Sequence, residues 1–288
     1  MGTLLPNQAL SQYTSWRIGG PADYVYLPQN LADLTDFIKQ LSADSPLTWL
    51  GLGSNTLVRD AGLDGVAIVT QGALNGLSQL ENGLVRAEAG VSCAQLARFS
   101  ARLSGAGLEF LAGIPGTVGG ALAMNAGCFG GETWQRVQAV ETINRQGEIN
   151  LRPAAAFSIG YRQVKRPENE WFVAGHFLPE KGDKTVSLAK IHDFLERRNT
   201  TQPTGTANCG SVFRNPKGDF AGRLIESCGL KGKRFGGAQV SEKHANFILN
   251  TGTATAADVE GLIAEIKTIV EAQTGVALLP EVCIIGRM

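Results

Sequence analysis

Gly113-Ile-Pro-Gly-Thr-Val-Gly-Gly-Ala-Leu-Ala-Met-Asn-Ala-Gly127 is the stretch of this chain that decides its fold. It holds five glycines and a proline, and its only polar side chains are those of Thr117 and Asn125. Its apolar residues follow neither a helical nor a strand period, so an ordinary core helix or strand is not expected. Glycine lets the main chain come close to a ligand, and bare N–H groups in such a segment form an anion-binding concavity. The segment is therefore predicted to form a main-chain surface that binds a diphosphate.

A second glycine-rich element, Gly51-Leu-Gly-Ser-Asn-Thr56, follows the apolar strand predicted over residues 48–52. Taken alone it is compatible with an ordinary tight turn, because a short Gly-x-Gly is weakly specific. Two such elements in one half of the chain favour a nucleotide or dinucleotide ligand. Neither has the Gly-x-Gly-x-x-Gly fingerprint with a downstream acid or the Gly-Lys-Ser/Thr ending of a phosphate loop, which disfavours a Rossmann or NTPase fold.

Composition argues against several classes of function. The 288 residues include 26 basic and 26 acidic side chains, so the chain lacks the basic surplus typical of nucleic-acid binders. Its first residues have neither a basic nor an apolar signal region, and no apolar run approaches the ~18 residues of a membrane span. The five cysteines and three histidines are dispersed, which predicts free thiols in a reducing cytoplasm and no metal site.

The length predicts one large or two medium domains, and we expect an α+β chain. A strand, a helix capped by Asn30 and a second strand near the start suggest a βαβ unit. Further helices are predicted after Ser92 and over residues 255–274, where Thr255 provides the cap. We place a domain boundary near residue 180.

Seven motifs, in order along the chain, resemble those of the UDP-N-acetylenolpyruvoylglucosamine reductase family. Besides the two glycine-rich elements, they are Thr14-Ser-Trp-Arg-Ile-Gly-Gly-Pro-Ala22, Tyr161-Arg162, Cys209-Gly-Ser-Val-Phe-Arg-Asn-Pro216, Ala238-Gln-Val-Ser-Glu-Lys-His-Ala-Asn246 and Pro280-Glu-Val282. Singly each is weak, but together they are specific and extend over essentially the whole chain. The short stretch between Arg162 and Arg198 leaves little room for the tyrosine-bearing insertion of the family's longer class, so the chain resembles the shorter class.

The resemblance implies a two-part FAD-binding domain of the vanillyl-alcohol-oxidase type over residues 1–180, with subdomains at 1–71 and 72–180. A C-terminal α+β substrate-binding domain is expected over residues 181–288, with its last strand returning to the active-site interface. The resemblance also implies non-covalent FAD, NADPH as electron donor, and reduction of UDP-N-acetylglucosamine enolpyruvate to UDP-N-acetylmuramate in peptidoglycan precursor synthesis. A cytoplasmic monomer that binds this small UDP-linked sugar, and neither nucleic acid nor membrane, is expected.

The same resemblance assigns three catalytic residues. Arg162 would neutralise the substrate carboxylate, because a guanidinium engages a carboxylate bidentately and stays charged. Glu281 would stabilise the same enolate-like charge as a protonated acid, which requires a site that raises its pKa. Ser211 would deliver a proton to the carbon that bears the ether oxygen. Each residue alone is compatible with an ordinary structural place, and their joint occurrence in the expected motifs favours the catalytic interpretation.

Two sets of binding residues complete the predicted site. Asn215 is a candidate for the uracil or the diphosphate of the substrate, and Tyr161 is expected to pack on substrate or flavin. Lys243 and His244 lie in a segment that faces the substrate in the family, although a satisfied core histidine is an alternative for His244. The predicted cofactor residues are Gly51, Gly53, Ser54, Asn55, Thr56, Gly113, Ile114, Pro115, Gly116, Thr117, Gly119, Gly120, Met124, Asn125, Ala126 and Gly127.

Three positions depart from the family pattern. Val164 stands in place of a hydroxyl residue, Leu279 in place of an acid and Cys283 in place of a base. None of these changes removes a proposed catalytic group.

Two other interpretations stay open. One is another FAD-dependent oxidase or dehydrogenase of the same flavin fold that acts on an alcohol or sugar, and the other is a non-catalytic nucleotide-binding module, which would need none of the three catalytic residues.

Overall fold

The structure, a computed structural model, describes every residue from Met1 to Met288. No helix is both long and apolar enough to span a lipid bilayer. The helices are α1 (Leu31–Gln40), α2 (Cys93–Arg102), α3 (Val118–Met124), α4 (Lys184–Thr201), α5 (Ala221–Ser227) and α6 (Ala256–Thr274). The strands are β1 (Thr3–Ala9), β2 (Pro21–Leu27), β3 (Leu47–Leu50), β4 (Thr56–Val58), β5 (Leu63–Val69), β6 (Leu77–Gln79), β7 (Val85–Glu88), β8 (Gly105–Ala106), β9 (Gly127–Cys128), β10 (Gly131–Glu132), β11 (Val137–Asn144), β12 (Ile149–Pro153), β13 (Ser158–Gly160), β14 (Gln163–Lys165), β15 (Glu170–Phe177), β16 (Glu180–Lys181), β17 (Arg234–Phe235), β18 (Ala238–Val240), β19 (Ile248–Asn250) and β20 (Cys283–Ile285).

Three helices begin at the caps that the sequence predicts. At the start of α1, Asn30 Oδ1 accepts a hydrogen bond of 2.9 Å from the N–H group of Asp33. Ser92 and Thr255 each take part in a capping box, at α2 and α6 respectively. These side chains satisfy N–H groups that have no partner inside the helix, so the local sequence is enough to place the helix starts. The three predictions are confirmed.

The chain divides into two compact units. Unit 1 consists of Met1–Leu5, Val25–Leu52 and Val66–Arg197, and unit 2 consists of Pro6–Tyr24, Gly53–Gly65 and Arg198–Met288. This division differs from the predicted boundary near residue 180. Ile191 of α4 is buried in a core of unit 1, and Trp16 and Leu57 are buried in the core of unit 2. Two early segments therefore belong with the C-terminal part of the chain.

Unit 1 contains a five-stranded antiparallel sheet with the order β12-β11-β15-β7-β6. Its central strand, β15, is buried along almost its whole length. One core joins this sheet to α2 and α3 and includes Leu96, Leu122 and Phe177. A second core packs α1 with Ile68 of β5, which pairs in parallel with β3, and with Trp171 of β15. The glycine-rich segment that contains α3 is thus anchored in a packed core.

Unit 2 contains the three-stranded antiparallel sheet β17-β18-β19 and the parallel pair of β4 and β20. The helices α5 and α6 contribute to a core that includes Phe213, Val240 and Val259. The last strand that the resemblance implies is short and contains only Cys283–Ile285. Glu281 therefore lies just before β20, in the approach to the strand that pairs with β4.

The glycine-rich segment contains a helix that the pattern of its apolar residues does not predict. Thr117 caps α3, because its Oγ1 accepts a hydrogen bond of 3.5 Å from the N–H group of Gly120. Asn125 ends the helix in the left-handed conformation, with φ 43°. Glycine and alanine conceal a short helical pattern, so the expectation of no core helix here is wrong. The buried residues of α3 lie at i, i+3 and i+4 and are Val118, Ala121 and Leu122.

Candidate functional site

The loop 51–55 has main-chain donors that the protein itself does not use. None of the N–H groups from Gly51 to Asn55 donates to a main-chain or side-chain acceptor of the chain. Gly53 has φ 62°, a conformation that favours glycine, and Thr56 begins β4. Successive free N–H groups in such a turn form a concavity for oxyanions. This loop could therefore hold the diphosphate of a dinucleotide.

The N–H groups of the longer glycine-rich segment are largely engaged within unit 1. The N–H group of Val118 donates to the carbonyl of Val91 at 2.8 Å, and that of Gly119 donates to the carbonyl of Ala89 at 2.9 Å. A Cβ atom on Gly119 would lie 2.9 Å from the Cβ atom of Ala89, closer than packed side chains come. The expectation of bare donors is wrong at these two positions, where the glycine serves close packing instead.

A cavity of about 380 Å³ opens beside the glycine-rich elements of unit 1. The two elements touch here, because a Cβ atom on Gly51 would lie 2.2 Å from Oγ1 of Thr117. Main chain without bulky side chains, next to side-chain amides, suits part of a dinucleotide such as the FAD that the resemblance implies. The residues present fit that group. The cavity walls include Leu52, Gly90, Gly116, Thr117, Gln71 and Asn75.

Asn125 lies at the end of α3 with its side chain directed to protein groups. It is 1% exposed. Its Nδ2 donates to Oε2 of Glu132 at 2.9 Å and to the carbonyl of Gly160 at 3.1 Å, and its Oδ1 accepts from the N–H group of Trp134 at 3.1 Å. The sequence predicts a cofactor contact here, whereas the structure shows an amide that joins three parts of unit 1.

Tyr161 and Arg162 form the two-residue turn between β13 and β14. Arg162 has φ 53°, which is uncommon for a residue with a side chain. Its Nη2 donates to the carbonyl of Gly127 at 2.8 Å, and its guanidinium carbon lies 5.5 Å from the ring centre of Tyr161. The Tyr161 side chain is half exposed. The hairpin thus holds the guanidinium against the last residue of the glycine-rich segment.

In unit 2, the segments of Ser211 and Glu281 are hydrogen-bonded neighbours. The N–H group of Glu281 donates to the carbonyl of Val212 at 2.7 Å. The Nδ2 atom of Asn55 donates to the carbonyl of Glu281 at 3.1 Å, so the side chain of this predicted cofactor residue is hydrogen-bonded to the protein. Burial raises the pKa of the Cys209 thiol, which lies in the same stretch as Ser211. The structure brings the predicted proton donor and the predicted acid onto adjacent stretches of main chain.

Asn246 holds the Ser211 segment and is a residue that the sequence analysis does not assign to the site. It is 3% exposed. Its side chain accepts from the N–H group of Phe213 and donates to the carbonyl of Phe213, both at 2.9 Å. Its own carbonyl accepts from the N–H group of Val212. The residue ends one of the family motifs, but the sequence does not indicate that its amide clamps a neighbouring main chain.

Two of the predicted substrate residues bind main-chain groups of unit 2. Asn215 Oδ1 accepts from the N–H group of Ala221 at 3.1 Å, at the first residue of α5. Lys243 Nζ donates to the carbonyl of Asn199 at 2.5 Å. The remaining N–H groups of both side chains leave capacity for a ligand.

His244 has the surroundings of a core histidine. Its Nδ1 accepts from the N–H group of Asn246 at 3.2 Å, and its ring meets that of Phe247 edge to face, with centroids 4.9 Å apart. Burial lowers the pKa of His244 below its ordinary value and thereby favours the neutral imidazole. These contacts favour the structural alternative over the predicted substrate contact.

Comparisons with known proteins add a second line of observation. Two family descriptions match the chain: "FAD binding domain" over residues 22–151 and "UDP-N-acetylenolpyruvoylglucosamine reductase, C-terminal domain" over residues 202–285. The UDP-N-acetylenolpyruvoylglucosamine reductase of Legionella pneumophila is 57% identical over 286 residues, which cover 99% of this chain and 93% of that protein.

Two solved structures resemble the chain over nearly its whole length. UDP-N-acetylenolpyruvylglucosamine reductase from Thermus caldophilus matches with a TM-score of 0.81 and 31% identity, covering 99% of this chain and 98% of that one. The 6-hydroxy-D-nicotine oxidase of Arthrobacter nicotinovorans, at 11% identity, shares the fold with a TM-score of 0.59 and coverage of 97% and 88%. These findings confirm the predicted fold, a flavin-binding domain of the vanillyl-alcohol-oxidase type followed by a C-terminal α+β domain.

Proposed function

Because this chain belongs to the UDP-N-acetylenolpyruvoylglucosamine reductase family, we propose that it uses NADPH to reduce UDP-N-acetylglucosamine enolpyruvate to UDP-N-acetylmuramate. The chain is an FAD-dependent oxidoreductase. The resemblance seen in the sequence motifs is confirmed by these relatives. The roles of Arg162, Glu281 and Ser211 are part of this proposal.

The chemistry requires charge stabilisation at the carboxylate of the substrate. When bound and reduced by NADPH, FAD would supply the hydride that adds to the terminal carbon of the enolpyruvyl group. Negative charge then develops on the neighbouring carbon and on the carboxylate. Arg162 binds that carboxylate with a fixed positive charge, and Glu281, as a protonated acid, donates a hydrogen bond to the same enolate-like group.

Ser211 completes the reduction by transferring a proton. Its hydroxyl donates to the carbon that bears the ether oxygen, so the carbon–carbon double bond becomes the single bond of a lactyl ether. The serine then regains a proton from solvent. An alcohol is a weak acid, but it suffices here because the enolate-like carbon is a strong base.

The neighbourhood of Ser211 and Glu281 is the observation that carries this proposal. The 2.7 Å hydrogen bond from the Glu281 N–H group to Val212 fixes the two segments side by side. The side-chain amide of Asn246 holds the same stretch through the N–H and carbonyl groups of Phe213. A proton donor and an acid held by main-chain hydrogen bonds meet the requirement for preorganised groups in a reduction that moves charge onto one substrate carboxylate.

The variant Ser211→Ala tests the role of the serine. We expect NADPH to reduce the flavin at the wild-type rate, whereas reoxidation by the substrate slows by about 10²–10⁴-fold, the usual contribution of a positioned acid. Stopped-flow absorbance separates the two half-reactions. Ser227→Ala, at the exposed end of α5, is the control and should change neither rate. Reoxidation of Ser211→Ala at the wild-type rate would show that Ser211 is not the proton donor.

The electron donor is tested by the colour of the purified protein. We expect NADPH to bleach the yellow flavin without oxygen, and the UDP-linked enolpyruvyl sugar to restore the colour. A flavin band that NADPH leaves unchanged would contradict the assignment of the donor. A reduced flavin that the enolpyruvyl sugar cannot reoxidise would contradict the assignment of the substrate.

A further inference from the structure

The side chain of Asn125 occupies a position that suits asparagine for two independent reasons. Its backbone is left-handed, with φ 43° and ψ 51°, a conformation that asparagine and glycine adopt more readily than other residues. Its buried amide satisfies three protein groups, two by donation and one by acceptance. Glycine would keep the backbone and lose all three bonds, and aspartate would lose both donors.

Two hydrogen bonds join the end of the glycine-rich segment to the hairpin of β13 and β14. Asn125 Nδ2 donates to the carbonyl of Gly160, which pairs with Gln163 across the turn. Arg162, inside that turn, donates in the opposite direction to the carbonyl of Gly127. The stretches 125–127 and 160–162 are therefore linked by two hydrogen bonds, and a displacement of the hairpin would break both.

We propose that Asn125 is a positioning residue for Arg162, fixing the hairpin that presents the guanidinium instead of binding the cofactor with its side chain. The inference rests on the proposed role of Arg162 in neutralising the substrate carboxylate. Glu132 serves as the anchor of the amide, because its carboxylate accepts the second N–H of Asn125. Arg162 has a left-handed backbone of its own, and such a conformation persists only where the surroundings determine it.

The variant Asn125→Gly removes the side chain and keeps the left-handed backbone. We expect the dissociation constant for FAD to stay within about twofold of wild type, because no proposed cofactor contact is lost. Reoxidation of dithionite-reduced flavin by the enolpyruvyl substrate should slow by about tenfold to a hundredfold, the effect of a displaced catalytic group. Asn169→Gly, which changes an exposed asparagine with φ 54° in the same unit, is the control and should leave both values unchanged.

A double-mutant cycle with Arg162→Gln separates positioning from a general structural role. If Asn125 acts through Arg162, the double variant reoxidises as slowly as Arg162→Gln alone, because the displaced group is already absent. The inference would be overturned if the rate losses of the two single variants multiplied in the double variant. A wild-type reoxidation rate for Asn125→Gly would also overturn it. A wild-type rate for Arg162→Gln would instead overturn the proposed function.

A milder change keeps the inference testable if Asn125→Gly does not yield a folded flavoprotein. Glu132→Gln affects a half-buried residue and removes the charge that anchors the Asn125 amide. We expect the same pattern with a smaller amplitude, slower reoxidation with unchanged FAD binding, and no further loss when it is combined with Arg162→Gln. Equal slowing of flavin reduction and reoxidation would overturn the inference.

Discussion

The two glycine-rich elements look alike in sequence, but they use their main-chain donors in opposite ways. From Gly51 to Asn55 no N–H group donates to the protein, whereas Val118 and Gly119 donate to carbonyls just beyond β7. Glycine in the first element leaves donors available for an anion. Glycine in the second lets a short helix pack against Ala89. The same residue type therefore leaves main-chain donors unused by the protein in one place and permits close packing in the other.

This difference separates cofactor affinity from protein stability. A change at residues 53–55 of this loop should weaken the binding of FAD more than it destabilises the fold, because donors to a charged group contribute strongly to binding. A change at the start of α3 should do the reverse, because its donors already serve the protein.

Gly53→Ala should produce the largest loss of FAD affinity. Its φ of 62° disfavours alanine, and the added Cβ would lie 2.3 Å from the carbonyl oxygen of Tyr13, so the loop must change its conformation. Losing the alignment of one or two donors to a diphosphate lowers affinity by about 10–100-fold. Titration of the apoprotein with FAD, followed by flavin fluorescence, measures this change.

The control for that loop is Gly229→Ala. Gly229 has φ 71°, and an added Cβ would meet no atom within 4 Å. It thus carries the same backbone strain without a steric clash or a proposed ligand contact, and FAD affinity should be unchanged. Equal affinities for Gly53→Ala and wild type would mean that the donors of this loop do not bind the cofactor.

Local signals in the sequence were sufficient for some of the structure. The caps Asn30, Ser92 and Thr255 mark helix starts because each side chain bonds an N–H group within three residues. The family motifs likewise indicate the fold, which the relatives confirm. In contrast, α3 is hidden because Gly119 and Gly120 weaken its helical pattern, and its donors depend on carbonyls that lie far away in sequence.

The predicted site shows the same limit at the level of single side chains. The sequence predicts ligand contacts for Asn55, Asn125 and Asn215, and the structure shows each amide hydrogen-bonded to a protein group. The surrounding sequence of an asparagine in a glycine-rich or turn segment looks the same whether its amide binds a ligand or the protein. Only the position of the acceptor distinguishes them, and that position is set by long-range packing. For the same reason the clamp by Asn246 could not be predicted.

Gly119→Ala should destabilise the protein while leaving FAD affinity close to wild type. The added methyl would overlap Ala89, and overpacking of this kind costs about 1–3 kcal/mol. Urea denaturation of the apoprotein, followed by circular dichroism, measures the free energy of unfolding. The matched control is Gly120→Ala in the same helix, where the nearest atom to the added Cβ is 3.8 Å away.

Gly120→Ala should be neutral or stabilise the apoprotein by up to about 1 kcal/mol, because alanine favours a helix more than glycine does. Equal unfolding free energies for the two variants would contradict the packing role of Gly119. A large loss of FAD affinity in Gly119→Ala alone would show that the start of α3 contributes more to the ligand than its engaged donors indicate.

The smallest effect tests the contact between the two elements. Gly51→Ala alone should be destabilising, because its methyl would collide with Thr117 Oγ1 at 2.2 Å. Thr117→Ala alone loses a long cap hydrogen bond of 3.5 Å and should cost about 0.5–1 kcal/mol.

The double variant removes the hydroxyl that causes the collision, and the nearest atom of residue 117 is then its Cβ at 3.3 Å. The loss of stability in the double variant should therefore be smaller than the sum of the losses in Gly51→Ala and Thr117→Ala. We expect a favourable coupling of about 1 kcal/mol, measured by urea denaturation of wild type, the two single variants and the double variant. Simple additivity would mean that the elements relax independently. The contact between residue 51 and Thr117 at the start of α3 would then not depend on glycine at position 51.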